Sequence, residues 1–332
     1  MFKLDTEINP GIESLLLKTT LGTQGAKYQH LNTKERIQML ENPLFLSIER
    51  NKKTIANITF CRRAKKYYIR FFAFEALFQG STKYKSQVKK RRNQFVVEIT
   101  QMMNRWLKTG GCDQLYAYID SKNIRSMNMA HQFGFSHQGT LITHAFSRLR
   151  PKLNRKIIPL SIDHPAVIHV KNIHAQHTFY FDQEYTTLNY VGLQRNGEII
   201  GVVRVLPVSW KIIQLPGRFG KWQVKLLPYI PFLKDYINPK QHDFLAIDQL
   251  WVSDYTNKVT EELLEGVLAM YQHKVALWWA DEQDPFRQII DSKIKWGFFD
   301  RIIRKSKVHV MVKSQENGGF DKPFYVCAYD LV

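Results

Sequence analysis

One order of sequence features occurs twice along this chain, and that repetition constrains the fold more than any other property. The first copy opens on a hairpin, with strands expected at 44–50 and 54–61 around the polar turn Asn51-Lys52-Lys53. The second opens on strands at 190–195 and 198–206 around Asn196-Gly197, a pair that strongly marks a type I′ turn. An apolar strand follows each hairpin, at 68–78 and 244–252, and each carries one acid in its middle, Glu75 and Asp248. A helix comes next. Phe95, Val96, Ile99, Met102, Met103, Trp106 and Leu107 recur at helical spacing, as do Val259, Leu263, Leu264, Val267, Leu268 and Tyr271. Gly110-Gly111 stops the first of these helices. A short strand then ends in aspartate, at 115–120 with Asp120 and at 275–281 with Asp281. A further helix closes on aromatic-Gly-Phe, as Phe133-Gly134-Phe135 and as Trp296-Gly297-Phe298. β-like tails complete the copies, 137–146 in the first and 309–312 with 324–331 in the second.

A strand–helix–strand unit implies a parallel pair within a mixed sheet. The expected class is therefore α/β (α+β), with two tandem domains that each hold a mixed central sheet flanked by helices. Their expected extents are 1–147 and 160–332. Residues 148–159 are basic, contain Pro151 and Pro159, and read as the linker. A chain of 332 residues is long enough for two cores of ordinary size.

The two copies now resemble a known family. Asp120, Asn123 and Ser126, in a helix that runs to Phe133-Gly134-Phe135, resemble the Asn-containing helix ending in Gly-Phe of the GNAT N-acyltransferases. With the strand and helix before it, the likeness covers about residues 44–146; the second copy follows by order of elements and by Trp296-Gly297-Phe298. The resemblance implies two GNAT-like folds in tandem and direct transfer of an acyl group from a thioester to an amine. In that fold the central parallel strands splay, and the donor's pantetheine arm pairs with strand backbone in the gap, here at Leu77 and Phe78. The donor pyrophosphate sits on the following helix N-terminus, where free N–H groups and the helix dipole favour anions.

The sequence departs from the family at this phosphate loop, whose glycines let the backbone curl around phosphate. In the second copy the stretch is Thr256-Asn257-Lys258-Val259-Thr260-Glu261, with neither glycine and with Glu261 and Glu262 placed to repel a pyrophosphate. No ordinary CoA site is expected there. In the first copy the loop, 80–94, holds Lys83, Lys85, Lys89, Lys90, Arg91 and Arg92, with no glycine pair beyond Gly80. Lys89, Lys90, Arg91 and Arg92 are the candidate anion-binding cluster, alongside Asn123; a solvated basic loop is the other reading. The family's general acid, a Tyr seven residues after the Asn, is replaced by Ala130 and, in the second copy, by Lys293. Glu75 is the candidate base, since burial among Phe72, Phe74 and Phe78 would raise its pKa. A structural carboxylate is the alternative. Tyr116 and Tyr118 share one face of a strand; Tyr118 is taken as the replacement acid, with core packing as the competing role.

Lys plus Arg number 48 against 29 acids, a net charge of +19, and such a surface attracts polyanions. The donor is expected to be an acyl-CoA or the thioester of an acidic acyl carrier protein. A carrier delivers pantetheine without an adenine nucleotide, which would account for lost glycines and a retained Lys/Arg cluster. The stretch 208–243 mixes bulky apolar groups with Lys, as a segment at an anionic lipid surface or over an acyl chain would; packing between the halves is the alternative. No RNP, zinc-finger or KH motif occurs, so nucleic acid is not expected. His164, His169, His174 and His177 lack the accompanying ligands of a metal site, and none is expected. Cys61, Cys112 and Cys327 are odd in number and far apart, no apolar run spans a membrane, and the N-terminal stretch lacks a signal-peptide core. The cytoplasm is the expected location. A non-catalytic descendant, a binding module that kept the fold and lost the chemistry, is the alternative to an enzyme.

Overall fold

The computed structural model describes residues 2–22, 27–74, 85–182, 189–215, 219–226, 229, 236–254, 257–303, 305–315 and 319–331, with the side chains of 85–95 excepted. The chain opens with β1 (Phe2–Asp5), α1 (Pro10–Leu17), β2 (Lys27–His30) and α2 (Thr33–Gln38). The first copy follows as β3 (Pro43–Arg50), β4 (Lys53–Arg63), β5 (Lys66–Phe74), α3 (Lys85–Lys108), β6 (Gln114–Asp120), α4 (Ile124–Gln132) and β7 (Ser136–Ser147). β8 (Ile157–Leu160) and α5 (Pro165–His174) lead to β9 (Asn189–Arg195), β10 (Glu198–Gln214), α6 (Gly220–Leu226) and β11 (His242–Val252). The remainder is α7 (Asn257–Met270), β12 (Val275–Asp281), α8 (Pro285–Asp291), α9 (Phe298–Ile303), β13 (Lys307–Ser314) and α10 (Ala328–Leu331).

One compact unit comprises Met1–Gln24, Asn32–Gln138 and His309–Gly319. Its strand order is β1-β3-β4-β5-β6-β13. All pairs from β1 to β5 are antiparallel, and β5 and β6 are parallel. Asn51 and Lys52 both take positive φ, 49° and 60°, so the β3–β4 hairpin closes in the left-handed geometry that matches strand twist. The apolar face of α3 is the expected one: Ile99, Met103 and Leu107 pack with Phe60, Leu115, Phe133 and Met311. α4 ends in a Schellman motif. Gly134, at φ +84°, donates to His131 O over 2.9 Å, and Phe135 N–H to Ala130 O over 3.0 Å, which is why a glycine stands between the two phenylalanines. Ahead of the first hairpin, Ile12, Leu16 and Ile37 cover Phe45 and Ala73.

The other unit comprises Gly25–Leu31, Gly139–Val308 and Phe320–Val332. Its strands run β7-β12-β11-β10-β9-β8, with β2 paired to β10. Leu263, Leu264, Val267 and Leu268 of α7 are fully buried against Val203, Val205, Leu245, Ile247 and Ala276. Asn196 and Gly197 supply the two positive φ values of the β9–β10 turn, 52° and 87°. β10 runs to Gln214, beyond the expected 206, because 210–214 pair with β2.

The units differ from the expected 1–147 and 160–332. Residues 139–147 pack in the second unit, where β7 covers β12, and 309–319 in the first, where β13 covers β6. An uncovered parallel strand would expose a row of backbone groups. The expected linker, 148–159, is anchored rather than loose. Arg148 lies over the Phe146 ring at 4.0 Å and donates to Glu261 at 3.1 Å, Lys152 N–H donates to Glu265, and Asn154 to Glu262. The expected strand at 324–331 is instead a bridge at Phe324 and the short helix α10. Trp296-Gly297-Phe298 also differs from its counterpart: α8 stops at Asp291, and Gly297 (φ +106°) passes against Ser147, whose backbone a Cβ would overlap.

Candidate functional site

In both units the parallel pair is short. Lys66, Tyr67 and Tyr68 of β5 stand beside Gln114, Leu115 and Tyr116 of β6, and pairing stops there. Leu245, Ala246 and Ile247 of β11 stand beside Ala276, Leu277 and Trp278 of β12, and pairing again stops. β5 runs on to Phe74 and β11 to Val252. The strands therefore part beyond three residue pairs.

Tyr118 lies on the parted stretch of β6, half-buried, with its ring 5.4 Å from Tyr68 and 5.7 Å from Tyr116. Tyr116 is buried and its phenol oxygen accepts from Arg63 at 3.1 Å, while Arg63 also pairs with Glu41 at 3.2 Å. Of the two tyrosines, Tyr116 is thus built into a buried network and Tyr118 sits nearer solvent. Asn123 caps α4: its side-chain oxygen accepts from Ser126 N–H at 3.1 Å. Glu75, Leu77 and Phe78 lie outside the described residues. Lys89, Lys90, Arg91 and Arg92 do not stand in a loop; α3 begins at Lys85, so they occupy its first two turns, and their side chains lie outside the description. The apolar periodicity that marks this helix begins only at Phe95, since the earlier turns carry a polar sequence.

The second unit closes the equivalent stretch with its own chain. Asp248 follows directly on the last paired residue of β11. Both its oxygens accept from Arg204, at 2.6 and 2.9 Å, and one also accepts from Ala328 N–H at 2.7 Å. Arg204 donates further to the Tyr325 hydroxyl at 2.9 Å. At the far end of β12, Asp281 accepts from Phe324 N–H at 2.7 Å. Residues 324–330, all buried, therefore cross from β12 to β11 at the level where the two strands have parted. Gly139 leaves room for the Phe324 ring, which a Cβ would overlap. Next to Asp248, Gln249 takes φ 47°, and Gln249 with Leu250 stands opposite Val203 alone, a β-bulge. Its side chain accepts from Tyr190 at 2.8 Å.

Around Tyr325 lie His174, at 5.6 Å between ring centroids, and Tyr180, at 5.0 Å. Burial, followed by the neighbouring His177, pulls the His174 pKa down to about 4, so the ring is neutral at pH 7. Burial likewise raises the Tyr325 and Tyr190 phenols. Of the other clustered histidines, His164 caps α5 and His169 meets Trp251 edge-on. Among the described residues no group of three or more His, Cys, Asp or Glu could hold a metal ion. Glu261 and Glu262, expected to repel a pyrophosphate, are taken up by Arg148, Lys295 N–H, Asn154 and Arg195.

Sequence reasoning paired Asp248 with Glu75 and missed Arg204 and Tyr325. A signal existed for Arg204: it is a lone cation in Val202-Val203-Arg204-Val205-Leu206, as Asp248 is a lone acid in its strand. Opposite charges isolated in two neighbouring apolar strands have only each other for compensation.

No protein-family model and no curated protein matches the sequence. Among solved structures, Saccharomyces cerevisiae N-myristoyltransferase with bound myristoyl-CoA superposes at a TM-score of 0.52 and 10% identity, covering 94% of this chain and 82% of that one. A second structure of that enzyme with myristoyl-CoA gives 0.52 and 10%, over 94% and 79%. A GCN5-related N-acetyltransferase from Anabaena variabilis gives 0.46 and 9%, over 95% and 73%. The chain shares the fold of these N-myristoyltransferase structures.

Proposed function

We propose that the chain is an N-acyltransferase whose first unit takes the acyl donor. The observation that carries this reading is the contrast between the two parted strand pairs. The second is crossed by residues 324–330 and its acid is held by Arg204, whereas in the first Tyr118 stands half-buried on the parted stretch of β6. The likeness to N-myristoyltransferase, a fold solved with an acyl-CoA bound, supports a thioester donor.

The chemistry is direct transfer. The acceptor amine attacks the thioester carbonyl carbon, a C–N bond forms, and the oxyanion is held by backbone donors. The C–S bond then breaks. Glu75 receives the amine's proton, and Tyr118 donates one to the departing thiolate. Lys89, Lys90, Arg91 and Arg92 attract the phosphates of the donor, and their number, with a net charge of +19, supports an acidic carrier protein beside acyl-CoA. Cys61, Cys112 and Cys327 are buried and none forms a disulfide, in keeping with a reducing cytoplasm.

Calorimetric and thermal-shift titration with acetyl-CoA, palmitoyl-CoA and an acyl carrier protein tests the donor. A ligand that binds only the folded chain raises its stability by about 2.7 kcal/mol at a hundredfold excess over Kd. Silence from all three overturns the reading. The locked Asp248–Arg204 pair favours one further statement, that the second copy is a binding unit without chemistry of its own. Glu75→Gln separates the two: turnover falls if the first unit is catalytic and ligand affinity alone persists if neither is.

A further inference from the structure

The stretch after the middle of β10 carries a surface unlike the rest of the second unit. From 199 to 234 the sequence contains no Asp or Glu and six cations: Arg204, Lys211, Arg218, Lys221, Lys225 and Lys234. Arg204 is buried with Asp248; Lys211, Lys221 and Lys225 are exposed. Near them in the sequence stand three large exposed aromatics. Phe219 is 65% exposed, Trp222 61% and Tyr229 81%, the three most exposed aromatics among the described residues. Scattered exposed apolar residues are ordinary on a protein surface, but three aromatics this exposed within eleven residues are a concentrated apolar feature.

The geometry of α6 separates the two kinds of side chain. Trp222 N–H donates to Phe219 O at 2.9 Å, so the two aromatics lie one turn apart on one side. Lys221 and Lys225, four apart, lie together about a quarter turn away. The short helix is seated on the sheet through Gly220, where a Cβ would overlap the Leu215 carbonyl, so the opposite side faces outward. Aromatic rings flanked by lysines, in a stretch of sequence without Asp or Glu, match the interface of a bilayer: rings enter at headgroup depth and the ammonium groups meet lipid phosphates.

We infer that this surface docks the protein onto an anionic membrane, with Phe219 and Trp222 inserted and Lys221 and Lys225 on the headgroups. The inference stands apart from the acyl-transfer reading, and its test reads no turnover.

The test is flotation of the purified chain with vesicles of phosphatidylcholine alone and of phosphatidylcholine with phosphatidylglycerol, at low and at physiological salt. The wild type should float with the anionic vesicles in both salts and remain behind with the neutral ones. Phe219→Ser with Trp222→Ser should weaken binding by about tenfold or more, and Lys221→Glu with Lys225→Glu by at least about fivefold per lysine. All four positions are exposed, and unchanged thermal melting confirms that the variants fold. Brominated lipid should quench Trp222, read as the difference between wild type and Trp222→Phe. A net charge of +19 alone would attract anionic vesicles without using the rings. Equal flotation of the aromatic double variant therefore overturns the proposal, as does failure of the wild type to float at physiological salt. Binding to RNA that the aromatic substitutions weaken, without vesicle binding, overturns it too.

Discussion

Asp248→Asn should unfold this protein more readily than any conservative change at its surface. The side chains of Asp248 and Arg204 are both about 2% exposed, and the guanidinium meets both carboxylate oxygens. Asparagine keeps the shape and one acceptor but removes the charge, so Arg204 is left cationic, buried and uncompensated. Removing one partner of a buried pair costs about 3–5 kcal/mol. The Tyr325 hydroxyl still accepts from Arg204, which places the expected loss toward the lower end of that range. Replacing both charges, Arg204→Met with Asp248→Leu, removes the stranded cation; Ala328 N–H loses its acceptor, at a cost of about 1–3 kcal/mol at most, while the Tyr325 hydroxyl keeps the Gln249 amide at 3.3 Å. Urea unfolding followed by tryptophan fluorescence reads the midpoints. The double variant should unfold later than Asp248→Asn. If the single variant lies within about 1 kcal/mol of wild type, or the double is the weaker of the two, the pair is not the buried anchor described here.

Other perturbations give outcomes as definite. Gly134→Ala forces an alanine to φ +84° and crowds Lys313 Nζ, and should cost about 1–2 kcal/mol in the same unfolding assay, read as a shift of the midpoint. Burial, the first cause in each case, holds His174 and His242 at about 4, below the unfolded value of 6.5. Their unfolded forms bind protons first, so their contribution is fully present above pH 6.5 and is lost as pH falls toward 4; melting temperature should drop through that window, and His242→Phe should flatten the drop. Tyr118→Phe should lower kcat for transfer and leave donor affinity, read by calorimetry, unchanged; weaker donor binding would assign the phenol to the site's frame. Reversing the charge of Lys89, Lys90, Arg91 and Arg92 together should abolish turnover with carrier-bound donor, and unchanged turnover would remove the carrier from consideration.

The local layer of this fold was legible because its signals are local. Asn196-Gly197 announces a turn by backbone conformation alone, and the spacing of Ile99, Met103 and Leu107 announces the buried face of α3 without knowledge of what covers it. β12 falls where it was expected, at 275–281. What escaped was set by distant partners. The tail at 324–331 looks like a strand by composition, but its amides are taken by Asp281 and Asp248, 43 and 80 positions away. Lys85 to Gln94 looked like a loop since their cations hide the helical period. Asp248 looked like a second base because a lone acid in an apolar strand is the mark of catalysis and of a buried ion pair alike; only the partner strand distinguishes them.

The lending of strands has a consequence for biosynthesis. Domains of a nascent chain commonly form in order of emergence, the first closing before the next is made. Here the first unit has no cover for β6 until residues 309–319 have been translated, and the second has nothing across its parted strands until 324–330 follow. Both units stay unfinished until residues 309–330 are out of the ribosome, and then complete within a few residues of each other. A stop codon anywhere before 309 would leave two incomplete units instead of one finished half, and a ribosome slowed just before 309 would hold two open sheet edges exposed together.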